Sequence, residues 1–474
     1  MIDIQQNHPQ SSGEHSTSTF KRTLGLGSLL AVSVGLVVSQ GVMVLMLQGA
    51  GISGLGFIVP LIIAYLLAIT YIYSFSELAL MIPKAGGLAS YTEVAIGHFS
   101  AILAVFSGYV VVTMFAVSAE LLLVDYVINK IFPDIFPKYT VGFGLLAIFT
   151  LLNLKGIDLF AKLQSVLAFV MITLLLVISL GAISGSMDAK PISLDLLTTD
   201  WNPMGLEVIT LAALAIWGFV GAEFVCPLVE NAKNPNKNIP RSMIIGMTVI
   251  FITISLYCFA ALLYVPAEQL AGSSLPHYDF ALAAFGDVGL ILIAVISITA
   301  TCSTVNTCLA AIPRMLYGMA LNGQVFPQLK ILSKKNKTPW VAVLFVSIIT
   351  GIPMILLVDQ PDSIGLLLVS AAIAWLISYI ITHINVIVLR RRYPNLNRPY
   401  KTPFYPLPQI IGIIGMIYSI YYASPAPELS FQIFSSAGIV LGVVSIIGII
   451  WVKFVMKKGL FTPEPIEKVL NVDE

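Results

Sequence analysis

Two interruptions in long apolar stretches carry the residue types that a binding site inside a membrane needs. The first is the Ser-Gln-Gly tripeptide at 39–41, and the second is the segment 218–223, which holds two glycines and Glu223. Glycine weakens a helix by about 1 kcal/mol, and irregular backbone inside a membrane is tolerated only where it lines a cavity or is buried in protein. The freed amides and carbonyls, with a carboxyl beside them, are suited to binding a small charged solute.

The predicted substrate-binding residues lie at these two interruptions: Ser39, Gln40, Gly41, Val42, Trp217, Phe219, Val220 and Gly221. Glu223 lies within one helical turn of the second interruption, so we expect it to recognise an amine or to carry a coupling proton. A structural ion pair or hydrogen-bonded acid is the alternative for Glu223. Close helix packing through small residues is the alternative for the glycines.

Three further acids lie in apolar stretches. We expect Glu77 to pair with Arg314 or Lys84 at an inner gate, which makes Glu77 and Arg314 gating candidates. Counting 1.5 Å per residue along the helix places Glu120 and Asp125 near the external mouth of the bundle, in a solvated vestibule.

The elements that position these residues follow from composition. Of 474 residues, 58% are hydrophobic and 10% are charged, and the mean hydropathy is +0.93, so the chain is predicted to be an all-α membrane protein with many spans. Barrel strands would be about ten alternating residues long. Twelve spans are predicted, at approximately 24–47, 57–82, 98–131, 139–154, 160–183, 206–228, 243–264, 288–320, 340–358, 364–389, 407–422 and 431–455.

The interruptions fall in the first and sixth of these spans, at similar depths. At 1.5 Å rise per residue, Ser39 lies roughly 23 Å from Leu24, and Gly221 roughly 23 Å from Leu206. Corresponding breaks five spans apart predict inverted repeats of five spans each, with the substrate held where the broken helices face each other.

Basic residues set the predicted topology. With the N-terminus in the cytoplasm, 22 of the 25 lysines and arginines lie inside, and only Lys130, Lys138 and Lys190 lie outside. Both termini are therefore predicted to be cytoplasmic, in a multi-pass protein of the plasma (inner) membrane. The predicted organisation is a disordered tail at 1–23, repeats at 24–186 and 203–392, two extra spans within 403–458, and a cytoplasmic tail at 459–474.

Three motifs resemble those of the amino acid–polyamine–organocation permeases. They are Ser76-Glu77-Leu78-Ala79 with Pro83-Lys84-Ala85-Gly86-Gly87, Phe219-Val220-Gly221-Ala222-Glu223 with Glu230-Asn231-Ala232-Lys233-Asn234-Pro235, and Arg314 with Asn322-Gly323-Gln324-Val325-Phe326-Pro327. The resemblance implies a leucine-transporter-like fold, with broken helices 1 and 6, and secondary transport of amino acids, amines or polyamines.

This sequence also departs from the pattern of the family that it resembles. Many members have Gly-Ser-Gly or Gly-Thr-Gly at the first break, whereas this chain has Ser39-Gln40-Gly41, so recognition of a substrate carboxylate is weakened. Some proton-coupled members carry a lysine in the fifth span, whose interior lacks one here. In sodium-coupled relatives a serine-threonine pair in the eighth span binds the ion, which makes Ser303 and Thr304 a possible sodium site.

We therefore expect a permease for amino acids or related amines that works by alternating access, through exchange (an antiporter) or proton coupling. A sodium-coupled symporter is the alternative mechanism. A channel and a non-transporting membrane sensor are the alternatives from other functional classes. No enzyme activity, cofactor or nucleic-acid partner is expected, because the five histidines are scattered and no basic domain stands apart from the spans. The expected partners are the small-molecule substrate and the lipid bilayer.

Overall fold

The computed structural model describes residues 22–84, 86–185, 191, 201–357, 363–424 and 427–470. The predicted tail at 1–23 lies almost entirely outside them. Within the described residues the secondary structure is helical, apart from an isolated bridge between Leu24 and Ala232. All twelve predicted apolar stretches contain helix.

Eight helical stretches of the described chain are long and apolar enough to cross a membrane. They are Gln40–Met81, His98–Ile131, Leu159–Ile183, Gly205–Asn231, Pro235–Tyr264, Pro276–Leu321, Ile364–Arg392 and Glu428–Val455. Four shorter apolar helices accompany them: Leu26–Val37, Thr140–Asn153, Trp340–Leu356 and Leu407–Tyr421. The short helices Leu88–Ile96, Ala267–Gly272 and Ile466–Leu470 lie between or after these stretches. The eighth span begins twelve residues earlier than predicted and bends at Gly286, whose φ is 57°.

The first and sixth spans are both broken. The first consists of the helices Leu26–Val37 and Gln40–Ser53, and extended backbone at Ser39 separates them. The first part of the sixth span ends at Phe219, and the second part is a 3₁₀ helix, Ala222–Asn231. Gly221 between them has φ 112°, in the left-handed region that favours glycine.

The third span also departs from regular helix where it faces these breaks. Two π-helical turns, Phe106–Val111 and Thr113–Val117, precede the regular helix Ser118–Ile131. Such turns often occur at functional sites, because the extra residue per turn shifts the face that a helix presents. Here the residue Glu120, one turn after them, contacts the first-span break.

The segment after the last span packs back onto the bundle. The backbone N–H of Glu464 donates to the Glu93 carbonyl at 3.0 Å, and the N–H of Phe99 donates to the Leu460 carbonyl at 3.1 Å. The Glu464 carboxylate binds three side chains, those of His98, Lys458 and Lys468. Part of the predicted C-terminal tail, residues 459–470, is therefore held against the helices Leu88–Ile96 and His98–Val105.

Burial alone would raise the pKa of the Glu464 carboxyl, but hydrogen bonds from Lys458, His98 and Lys468 outweigh burial and lower that pKa to about 2. Since the folded pKa is below the unfolded value of about 4.3, the stabilisation is fully present above that value and is lost as the pH falls through about 2. At neutral pH the contact is intact.

Replacing Glu464 by glutamine is expected to raise deuterium uptake across residues 459–470 at pH 7, because the carboxylate charge that holds three side chains is removed. Hydrogen-exchange mass spectrometry of the purified protein measures this. Glu467→Gln is the matched control, since Glu467 is exposed on the helix Ile466–Leu470 that follows Glu464. Equal protection in wild type and Glu464→Gln would show that the carboxylate does not hold this segment.

Candidate functional site

The two breaks face a small void between the spans. Its volume is about 20 Å³, which is roughly room for one water molecule. It is lined by Leu36, Val37, Ser39, Val42, Val112, Ala116, Val117, Glu120, Trp217, Val220, Thr304, Cys308 and Trp375. Five of the predicted site residues are among these (Ser39, Val42, Trp217, Val220 and Thr304), and the wall is mostly aliphatic or aromatic.

The first-span break holds the carboxylate of Glu120. The backbone N–H groups of Gln40 and Gly41 donate to its two oxygens, at 2.8 and 2.6 Å. The next N–H, that of Val42, donates to the Ser39 hydroxyl at 3.3 Å. The free donors of the helix Gln40–Ser53, which with its dipole favour an anion, are thus occupied by side chains of the protein.

The Gln40 side chain points away from the void. Its Nε2 lies 3.1 Å from Nε2 of His277, and the hydroxyl of Thr301 donates to its Oε1 at 3.4 Å. Gln40 therefore contributes its backbone to the site, while its side chain connects the first span to the eighth.

The sixth-span break holds a second carboxylate, that of Glu223. Its Oε1 accepts from the Trp375 indole at 2.9 Å, and its Oε2 accepts from the Tyr379 hydroxyl at 2.7 Å and from the backbone N–H of Gly221 at 3.1 Å. Glu223 is fully buried. A hydrogen-bonded acid, one of the two interpretations that the sequence allows, describes this geometry.

An aromatic cluster supports the sixth-span break. The Tyr71 hydroxyl donates to the Phe219 carbonyl at 2.7 Å, and the Tyr71 ring stacks on Tyr379 with the centroids 4.2 Å apart. The Phe219 ring packs against Tyr65 and Phe251. Phe219 is thus held through its carbonyl and its ring, and neither lines the void.

The predicted sodium residues have different surroundings. Ser303 accepts a hydrogen bond from Nε2 of Gln164 at 2.6 Å, and the same nitrogen donates to the Ala31 carbonyl at 3.3 Å. An amide N–H group therefore lies between the first-span carbonyl and the eighth-span hydroxyl, where oxygen ligands would have to face an ion. The Thr304 hydroxyl has no hydrogen-bond partner among the described residues, and Thr304 lines the void.

The expected pairing of Glu77 with Arg314 is wrong. Glu77 accepts hydrogen bonds from Arg390 at 2.8 and 2.7 Å and from the backbone N–H of Thr402 at 2.8 Å, and Arg398 Nε lies 3.3 Å away. Arg314 donates to the Ala310 carbonyl of its own helix at 2.6 Å. Long-range packing brings the end of the tenth span, not the eighth, to Glu77.

The vestibule predicted for Glu120 and Asp125 is also wrong, since both residues are buried. Asp125 accepts from the backbone N–H groups of Tyr139, Val141 and Gly142 at the start of the fourth span. Glu120 is the site residue that sequence reasoning missed. Its signal was a lone acid within an apolar stretch.

Gly41 lies where the first-span break touches Glu120. An added Cβ would be 2.8 Å from Glu120 Oε1 and 3.0 Å from Leu368 Cδ1, so Gly41→Ala is expected to push the carboxylate off its amides. We expect the free energy of unfolding to fall by about 1–3 kcal/mol and substrate uptake to fall further than stability accounts for. Thermal unfolding and proteoliposome uptake measure the two effects.

Gly27→Ala is the matched control for Gly41→Ala, because nothing lies within 4 Å of an added Cβ at Gly27, in the same span. If a folded Gly41→Ala protein takes up substrate at the wild-type rate, the contact between Gly41 and Glu120 has no part in transport.

Comparison with known proteins identifies the family of the chain. A family profile described as amino acid permease matches residues 24–455. The branched-chain amino acid permease BcaP of Bacillus subtilis (strain 168) is 25% identical over 473 residues, covering 92% of this chain and 95% of that protein. The large neutral amino acids transporter small subunit 2 of Oryctolagus cuniculus is 26% identical over 417 residues, covering 84% of this chain and 75% of its own length.

A crystal structure of the Eremococcus coleocola manganese transporter, in complex with an aromatic bis-isothiourea substituted compound, superposes with a TM-score of 0.60. The identity is 13%, and the match covers 91% of this chain and 93% of that one. At this identity the likeness concerns the fold alone, which is the leucine-transporter-like fold. With the profile covering nearly all of the apolar region, the chain belongs to the amino acid permease family of the amino acid–polyamine–organocation superfamily, and it is a multi-pass membrane transporter rather than an enzyme.

Proposed function

We propose that this protein is a secondary active transporter that moves an amino acid or a related amine across the plasma membrane by alternating access. Its substrate site lies where the first-span and sixth-span breaks face the central void. The observation that carries the proposal is that each break holds one buried carboxylate: Glu120 on two backbone amides of the first break, and Glu223 on one backbone amide of the second.

The proposed architecture has twelve spans, with repeats at 24–186 and 203–392 and two extra spans in 403–458. Support comes from the corresponding breaks in the first and sixth spans and from the similarity in fold. The bias of basic residues supports cytoplasmic termini.

For coupling, we propose exchange or proton transfer, with Glu223 as the coupling group. The Gln164 amide supports this choice over a sodium symporter, because its N–H group lies between the Ser303 hydroxyl and the Ala31 carbonyl. A neutral amide at that place supplies the hydrogen bonds that would otherwise be contacts to a cation. Protonation of a buried carboxyl changes the charge of the site without any metal ion.

Counterflow is expected to exceed net uptake. Proteoliposomes are loaded either with unlabelled substrate or with buffer, sodium and pH are kept equal across the membrane, and uptake of labelled substrate is followed. A substrate for this test is found by thermal-shift screening, since a bound ligand stabilises the folded state. Because the fifth-span interior has no lysine, the loaded carrier is expected to change state faster than the empty one.

Equal rates in loaded and buffer-filled vesicles would rule out obligatory exchange. Stimulation by an imposed sodium gradient alone would favour the symporter. Ionic current far above the rate of substrate movement would favour a channel. Substrate binding without substrate uptake would favour a sensor. Protein-free vesicles are the control for leak.

A further inference from the structure

The donors at the first-span break are used by the protein itself. The N–H groups of Gln40 and Gly41 each bind one oxygen of Glu120, and the N–H of Val42 binds the Ser39 hydroxyl. The start of a helix is where free N–H groups and the dipole favour an anion. Here that anion belongs to the third span of the chain, so no free pair of donors remains for an anionic group of a substrate.

The other polar atoms on the void do not make a second anion site. Glu120 is the only charged side chain among the described residues that line it. The Trp217 Nε1 and the Thr304 hydroxyl have no hydrogen-bond partner within the described part of the chain, and both residues are at least 95% buried. One indole N–H and one hydroxyl lack the paired donors and the positive charge that hold a carboxylate. A substrate carboxylate would also meet the Glu120 carboxylate in an apolar site, where like charges are disfavoured.

The polar atoms on the void can instead bind an ammonium group. An ionised carboxylate has about four acceptor positions, so Glu120 can accept from an amine while it keeps its two backbone amides. The Thr304 hydroxyl supplies a further acceptor. The Trp217 and Trp375 rings, which pack edge to face on each other with centroids 5.9 Å apart, both line the void, and aromatic rings attract cations. Apart from Ser39 and Cys308, the remaining wall is aliphatic, which suits an apolar body.

We infer that the substrate is an organic amine with an apolar body and no carboxylate, and that Glu120 takes the place at the first-span amides that a substrate carboxylate would otherwise occupy. This inference rests on the proposed function and narrows its substrate class. The competing arrangement is a zwitterionic amino acid whose carboxylate displaces Glu120 from Gln40 and Gly41.

Matched pairs of probes separate the two arrangements. 3-Methylbutylamine with leucine, and 2-phenylethylamine with phenylalanine, differ within each pair only by the carboxylate. For the wild-type protein, the amine of each pair is expected to bind about tenfold or more tightly than its amino acid, by thermal shift and by competition for uptake into proteoliposomes. Tighter binding of the amino acid in both pairs would overturn the inference and leave transport standing. If none of the four probes is taken up while an amino acid found by the thermal-shift screen is, the inference fails and the proposed function stands; if no screened amino acid or amine is taken up, both fail.

Glu120→Ala frees the two amides and removes the charge. Its affinity for the amines is expected to fall about tenfold or more, and the preference within each pair is expected to move toward the amino acid. Glu120→Gln, which keeps the size of the side chain, tests the charge alone if the alanine variant does not fold. Glu268→Gln, at an exposed position, is the control. A folded Glu120→Gln protein with the wild-type ratio of amine to amino acid affinity would overturn the inference.

Discussion

Replacing Glu223 by glutamine is expected to lower the initial rate of uptake by about 30-fold or more, because removing one partner from a buried hydrogen-bonded charge costs about 2–5 kcal/mol. The carboxylate accepts from three donors, those of Trp375, Tyr379 and Gly221. A glutamine amide turns one of its acceptor oxygens into a donor, so at least one of the three N–H or O–H groups loses its partner. We also expect the remaining uptake to lose its dependence on a pH gradient, since the group no longer titrates.

Uptake into proteoliposomes with and without an inward proton gradient measures both effects. Glu207→Gln is the matched control, because Glu207 lies in the same span at an exposed position. The melting temperature is measured in parallel, so that loss of folded protein is not counted as loss of transport. Normal, pH-dependent uptake by a folded Glu223→Gln protein would remove Glu223 from the coupling mechanism.

The location of the two breaks could be predicted from sequence, because the signal is local. Glycine and a polar residue within an apolar stretch weaken the helix at that point, whatever surrounds it. The observed interruptions at Ser39 and Gly221 coincide with the predicted ones. The residues whose backbone forms the two breaks therefore followed from the sequence.

What fills the first break could not be predicted in the same way. Glu120 is about 80 residues from Gln40 and Gly41 along the chain, and its depth was inferred by counting residues from the start of a straight span. His98–Ile131 has 34 residues, whereas a helix of about 20 residues crosses the apolar layer. The third span is thus longer than the layer, and its π turns rotate its later residues. Counting therefore placed Glu120 too far outward.

Gln164 was missed for a different reason. A search for ionisable groups does not find a neutral amide, yet this one reaches Ala31, Ser303 and Asn306. Its neighbour Gly35 permits the approach, since an added Cβ there would be 2.1 Å from the Gln164 side chain. Amide networks of this kind depend on close packing of three spans, which only the folded arrangement reveals.

The partners of Glu77 are also determined by long-range packing. Of the basic residues available, packing selects Arg390 and Arg398, while the Thr402 N–H completes the set. Both Glu77 and Arg398 are buried. Glu77 thus joins the second span to the end of the tenth span and to the segment that leads to the eleventh.

Glu77→Gln is expected to lower the free energy of unfolding by about 3 kcal/mol, because breaking a buried ion pair from one side leaves an uncompensated charge. Chemical unfolding in detergent or bicelles measures this. Arg391→Gln is the control for Arg390→Gln, since Arg391 is exposed beside it. In a double-mutant cycle, Glu77→Gln with Arg390→Gln is expected to cost less than the two changes added together, because the second change removes the charge that the first leaves unpaired. Additive costs would mean that the contact does not couple the two residues.

The pair lies at the ends of the second and tenth spans, where a gate would be. If it acts as a gate, folded Glu77→Gln protein is expected to leak substrate from loaded vesicles without counter-substrate, whereas Arg391→Gln protein is not.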